Sequence, residues 1–120
     1  MSLDTELFSS RPILLEELRQ SLPSQSGWRQ YGGDTLAYEA DRWQLLVGET
    51  ETVGPQDVPA DLRELLPAAR YRIGFILEPV GAPEEAIAFM TAAIAAVGRR
   101  FGCVGYDPHT GASVAYARLP

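Results

Sequence analysis

The chain has 120 residues with one cysteine, one histidine and a net charge of −6, from sixteen acidic and ten basic residues. That length suits one domain with its own core, and a single cysteine excludes an intramolecular disulfide framework. All ten basic residues are arginine, so there is no Schiff-base lysine and no P-loop lysine, and a net negative chain lacks the electrostatic footprint of a nucleic-acid binder.

No apolar run approaches the ~18 residues of a membrane span. The acidic start MSLDTELFSS is unlike a signal peptide. The expectation is a cytoplasmic protein that binds neither nucleic acid nor membrane.

Leu3–Phe8 alternates as a short strand. Ser9 or Ser10 offers an N-cap, and Pro12 a first turn, for a helix over ILLEELRQSL. Its apolar stripe is Ile13 or Leu14, Leu18 and Leu22. Trp28 and Tyr31 flank the next strand, Gly32-Gly33-Asp34 turns it, and Leu36, Tyr38 and Ala40 alternate on the return. A third strand follows with Trp43, Leu45 and Val47 on one face, then a short helix, PADLRELL, whose Leu62, Leu65 and Leu66 can reach the core.

Arg70–Leu119 is the most regular stretch. In its first strand Tyr71, Ile73, Phe75 and Leu77 share one face, while Arg70, Arg72, Gly74, Ile76 and Glu78 share the other. Pro79, Gly81 and Pro83 break the strand, and Glu84 and Glu85 suit the first turn of the helix that follows. Ala86, Ile87, Phe89, Met90, Ala93, Ile94 and Val97 give that helix a wide apolar face, and Gly102 caps it. Asp107-Pro108-His109-Thr110-Gly111 supplies the turn of a closing hairpin.

Residues 5–40 and 70–118 both read as strand, Pro-led helix and hairpin, which suggests a tandem βαββ pseudo-repeat within a single domain spanning 1–120. The fold expected is α+β. It is a two-layer sandwich with a mainly antiparallel sheet, helices on one face and the other face at least partly open.

Catalytic constellations are scarce. His109 falls at the tip of a turn, where a solvated loop residue is expected rather than an acid–base group. Cys103 and Asp107 are four residues apart, which is ~13 Å along a strand and too far for a nucleophile and its partners. With one Cys and one His a zinc site is not expected. Glu49 and Glu51 on one strand face, and Glu84 with Glu85, read as a solvated edge and a helix-dipole complement. There is no nucleophile elbow and no strand–GxGxxG–helix context, so no cofactor is expected.

Two binding candidates survive. Arg70 and Arg72, with Glu78 further along the same face, form the first, since arginine recognises carboxylates and phosphates bidentately. Pairing with acidic residues of a neighbouring strand is the competing reading. The second is the outward side of the long helix, where Ala88, Thr91, Ala92 and Ala95 leave a flat, uncharged surface. That surface suits a dimer contact, although helix propensity alone also accounts for it.

At GRRFGCVGYDPHTG the chain resembles small bacterial α+β domains in which a helix runs into Gly-(Gly/Cys)-Val-x-Tyr-Asp-Pro-x-Thr-Gly before a last strand. Some of those resemble immunity proteins of toxin systems. The resemblance covers about the last 35 residues and implies a cytoplasmic, non-enzymatic, partner-binding protein. Given the missing catalytic constellations, the leading expectation is a non-catalytic binding or interaction domain, with a protein partner or self-association. A small-ligand sensor with a pocket between sheet and helices is one alternative. An enzyme using carboxylates and tyrosines on the open sheet face is another.

Overall fold

The computed structural model describes residues 3–48, 50–79 and 81–116, with Gln25 described by its backbone alone. Its elements in chain order are β1 (Leu3–Ser9), α1 (Leu15–Ser21), β2 (Trp28–Tyr31), β3 (Thr35–Glu39), β4 (Gln44–Gly48), β5 (Glu51–Thr52), α2 (Ala60–Leu65), β6 (Tyr71–Glu78), α3 (Glu84–Phe101), β7 (Val104–Tyr106) and β8 (Ser113–Ala115).

One antiparallel sheet holds every strand, in the order β2-β3-β4-β6-β1-β7-β8, with β5 also on β6. Its centre is the β1–β6 pair, in register from Leu3 opposite Leu77 to Ser9 opposite Tyr71. The chain leaves β1 through α1 and comes back beside β6 as β4. It leaves β6 through α3 and comes back beside β1 as β7. Two split βαβ paths are thus interleaved, each closing around the other's first strand.

The two longer helices cover one face. Leu18 and Leu22 of the α1 region and Ala86, Met90, Ala93, Ile94 and Val97 of α3 meet Leu7, Leu36, Leu45, Val47, Ile73, Phe75 and Leu77 from the sheet. Strand alternation sends the intervening residues to the opposite face. There Phe8 and Val104 pack with Val53, Val58, Leu62 and Ala69 in a second, smaller cluster. The short α2 therefore covers one corner of the second face, and the rest of that face, along β4, β6 and β1, is open. Within α2 only Leu62 is fully buried; Leu65 is 50% exposed, because a two-turn helix lying on one corner has room for a single inward row.

The first helix starts later than its capping residues suggest. Ser9 is buried in β1, and its hydroxyl donates to the Arg11 carbonyl and accepts from the Arg11 N–H rather than capping a helix. The chain bends at Ser10 and Arg11 and is irregular through residue 13, and the Ile13 N–H donates to Thr50 Oγ1 at 3.1 Å. The helix opens where half of a capping box forms: the Glu17 carboxylate accepts the Leu14 N–H at 3.1 Å and the Arg11 guanidinium at 3.0 Å. These bonds, the Arg11 one above all, hold the Glu17 carboxyl below its ordinary pKa. A depressed carboxylate contributes stability that is present above its ordinary range and lost as pH falls through the lower, folded value. Glu17→Ala should cost about 1 kcal/mol near neutral pH, and the gap to the parent should close on acidification, as read by urea unfolding at several pH values.

The hairpin turns behave as their residues dictate. Asp107 Oδ1 accepts the His109 N–H at 2.8 Å, and Gly111 takes a φ of +77° between β7 and β8. The element order strand–helix–hairpin does occur in both 5–40 and 70–118, as far as the second is described; Arg118 lies outside the described residues. The two hairpins join the sheet differently: β2–β3 attaches through its second strand to β4, and β7–β8 through its first strand to β1.

Candidate functional site

The open face gathers the charged residues that the sheet's alternation points away from the helices. Arg72 sits there on the central strand β6, opposite Glu51 of β5 and one register step from Glu6 of β1, whose own partner is Gly74. Its Nε donates to Glu51 Oε1 at 2.7 Å, a second guanidinium nitrogen bonds the same carboxylate, and Nε lies 3.4 Å from Glu6 Oε2. The side chains of Arg72, Glu6 and Glu51 are 31%, 24% and 60% exposed. Burial raises the Glu6 pKa, Arg72 pulls it back, and the neighbouring Glu51 and Asp4 push it up again.

Around this trio the face is hollow. A trough of about 420 Å³ runs over Leu46, Gly48, Gly74 and Ile76 toward Asp34. It continues into one of about 280 Å³ bordered by Asp4, Glu6 and Pro108 of the last hairpin's turn. Both share Glu51, Arg72, Gly74 and Ile76. A Cβ placed on Gly48 or Gly74 would meet nothing within 4 Å, so the two glycines leave the floor bare.

Of the arginines singled out in the sequence, Arg72 is in this trough but already ion-paired, which is the neighbouring-strand pairing weighed against anion binding. The Arg70 side chain is exposed at the strand's start, and its backbone carbonyl and N–H bond Val53 and Ser9. Glu78 does not join them. Six residues along β6 place it ~20 Å from Arg72, where it accepts from Gln44 Nε2 at 3.0 Å. It lines a separate cleft of about 350 Å³ with Glu39, Arg42, Trp43 and Pro79. A neighbouring hollow of about 440 Å³ shares Arg42 and Trp43 and adds Asp41, Pro83 and Glu85.

On the helix layer, Ala88, Thr91 and Ala92 are exposed and Ala95 half-buried on the outer side of α3. Ile87, expected on the inner face, is 43% exposed; it sits at the border of the buried arc, so the sheet does not reach it. Cys103 is buried, and that burial pushes its thiol up to about 11, leaving no accessible thiolate at neutral pH. His109 is exposed on its turn, with its backbone N–H bonded to Asp107. Among the described residues no group of three or more His, Cys, Asp or Glu could hold a metal ion. No helix among them is long and apolar enough to cross a membrane.

No family model, no curated protein and no solved structure matches this chain. What the sequence missed are Arg72's partners. Glu6 was one polar residue in an alternating strand, and Glu51 was grouped with Glu49, which lies outside the described residues. The alternation of LDTELF does place Asp4 and Glu6 on one face with Phe8, but which strand faces Arg72 is set by sheet order, which no local pattern encodes.

Proposed function

We propose that this chain is a non-catalytic interaction domain that docks a protein partner on the open face of its sheet. The observation that carries the reading is the extended, bare-floored trough across β4, β6 and β1, whose central arginine is neutralised in place by Glu6 and Glu51. Arg72 is engaged by two carboxylates, which weighs against its acting as a free anion-binding group on this face. The trough's lining carries Asp4, Glu6, Asp34 and Glu51 against Arg72, so charge complementarity favours a partner segment bearing cationic side chains. The resemblance of the final hairpin to toxin-immunity-like domains points the same way, because Pro108 of that hairpin's turn borders the trough. A cytoplasmic, bacterial setting belongs to the same proposal.

A second reading, a small-ligand sensor, is favoured by the cleft on Trp43, with an aromatic floor and Glu39, Glu78 and Arg42 at its rim. The groove between α3 and the last hairpin, at about 270 Å³, is smaller.

The test is face-specific capture from the host's own lysate. Gly74→Tyr places a ring on the trough floor at a position where an added Cβ meets nothing within 4 Å, and Glu51→Arg reverses its rim. Both should lose the partner, whereas Glu16→Arg, on an exposed position of α1, should keep it. Capture that survives both open-face substitutions overturns the proposal.

A further inference from the structure

We infer that the outer face of α3 is a two-fold contact through which two copies of this chain pair with their helices antiparallel. The surface lies on the layer opposite the open sheet face, so this goes beyond the interaction proposed above and does not depend on it.

The inward side of α3 carries Ala86, Met90, Ala93, Ile94, Val97 and Gly98. At 100° per residue, Glu84, Ala88, Thr91, Ala92, Ala95 and Arg99 fall together on the opposite side. All six are exposed except Ala95, which is half-buried.

The order of this face is self-complementary. Its midpoint lies between Thr91 and Ala92, and reversal about that point sets Ala88 against Ala95, Thr91 against Ala92, and Glu84 against Arg99. A two-fold axis there places Glu84 of each copy beside Arg99 of the other, making two intermolecular ion pairs. A parallel pairing would oppose like charges at both ends.

Among the described residues neither Glu84 nor Arg99 takes part in an ion pair within its own chain. The adjacent Arg100 is spent internally, donating to the Glu17 carbonyl at 3.2 Å and Ser21 Oγ at 2.8 Å. The Thr91 hydroxyl is turned back onto the Ile87 carbonyl at 2.8 Å, so the middle of the face offers the partner no competing donor. Alanines at the crossing let two axes approach to ~8 Å. The 18-residue helix is about 27 Å long.

One helix pair of that length buries on the order of 1,000 Å², at the low end for specific complexes, so the dimer should be weak, with Kd on the order of 10–100 µM. Its two ion pairs are exposed and screened by salt. Pairing through α3 leaves both open sheet faces outward, so the dimer would offer two docking surfaces and an avidity that the monomer lacks.

Sedimentation equilibrium on the full chain tests this. Self-association should weaken at least tenfold with Ala92→Arg, and likewise with either Glu84→Arg or Arg99→Glu alone, each checked for native circular dichroism. Mixing the two charge variants should restore association, because every ion pair of the mixed dimer is again between opposite signs. Gly74→Tyr, on the open face, should leave it unchanged. A chain that stays monomeric at hundreds of micromolar overturns the inference, as does a dimer indifferent to Ala92→Arg or a mixture that fails to associate. None of these outcomes decides whether a single open face captures a partner.

Discussion

Trp28→Ala should destabilise the protein by about 3–5 kcal/mol, the range for removing a large buried aromatic. Trp28 is 5% exposed and belongs to a four-ring cluster. Its centroid lies 5.6 Å from Tyr38 and 6.0 Å from Phe89, and Tyr38 in turn lies 4.3 Å from Phe89 and 5.8 Å from Trp43. Two of these rings come from β2 and β3, a third from Trp43 just before β4, and the fourth from α3, so the cluster ties the outer hairpin to the long helix. The indole N–H also donates to the Pro23 carbonyl at 2.8 Å, fixing the loop that enters β2. The backbone approaches closely enough that a Cβ on Gly27 would lie 2.6 Å from Tyr38 Cε2. Truncation leaves a cavity that the rigid sheet closes only in part, and it strands that carbonyl. Urea unfolding should show the loss, and the melting temperature should fall by roughly 10 °C or more. Trp28→Phe keeps most of the ring area and should cost about half as much or less. A loss under about 1 kcal/mol for Trp28→Ala would mean that the outer hairpin is not anchored by this cluster.

Local pattern carried much of the architecture because several of its cues are short-range. The two faces of β6 follow from parity alone: Ile73, Phe75 and Leu77 are buried while Arg72, Gly74 and Ile76 face the trough. The long helix was bounded by Pro83 and Gly102, and it runs from Glu84 to Phe101 with Gly102 left-handed at φ +68°. The closing hairpin was written in Asp107 and Gly111.

The start of α1 differs from the sequence expectation because two signals compete. Ser9 is a good cap in isolation, but β1 needs it as a paired residue opposite Tyr71, and the Glu17 carboxylate on the Leu14 N–H opens the helix instead. Leu65 was misplaced because burial of a short helix depends on what lies beneath it. The site was least legible of all. Arg70, Arg72 and Glu78 share a strand face, and that face is continuous, but strand rise separates Arg72 from Glu78 while sheet order brings it Glu6 and Glu51 from distant parts of the chain. Spacing along one element can show which side a residue faces, not which residues from other strands will stand next to it.

Arg72→Met should cost about 1–3 kcal/mol near pH 7 and markedly less near pH 4. Methionine keeps the apolar stem of the side chain and removes the charge. What remains is Glu6, Glu51 and Asp4 on one patch of sheet, with Glu6 partly buried and its pKa already raised by that burial. Arg72 is the one influence pulling it down, so its removal raises Glu6 further. A carboxyl whose folded pKa exceeds its unfolded value binds protons more readily in the native state. It therefore penalises the fold above that folded pKa, and the penalty disappears as pH falls below the unfolded value. The difference between parent and Arg72→Met should accordingly narrow as pH falls through the carboxylate range, as the Glu17→Ala difference does, although there a stabilising contribution is lost and here a penalty is relieved. The exposure of Glu51 keeps the expected loss at the modest end for a broken ion pair. Adding Glu6→Gln to Arg72→Met should recover much of the loss near pH 7 and flatten its pH dependence, a coupling that a double-mutant cycle measures directly. A loss of equal size at both pH values, untouched by Glu6→Gln, would show that the charge Arg72 compensates is not that of Glu6, and would move the weight of the pairing to Glu51.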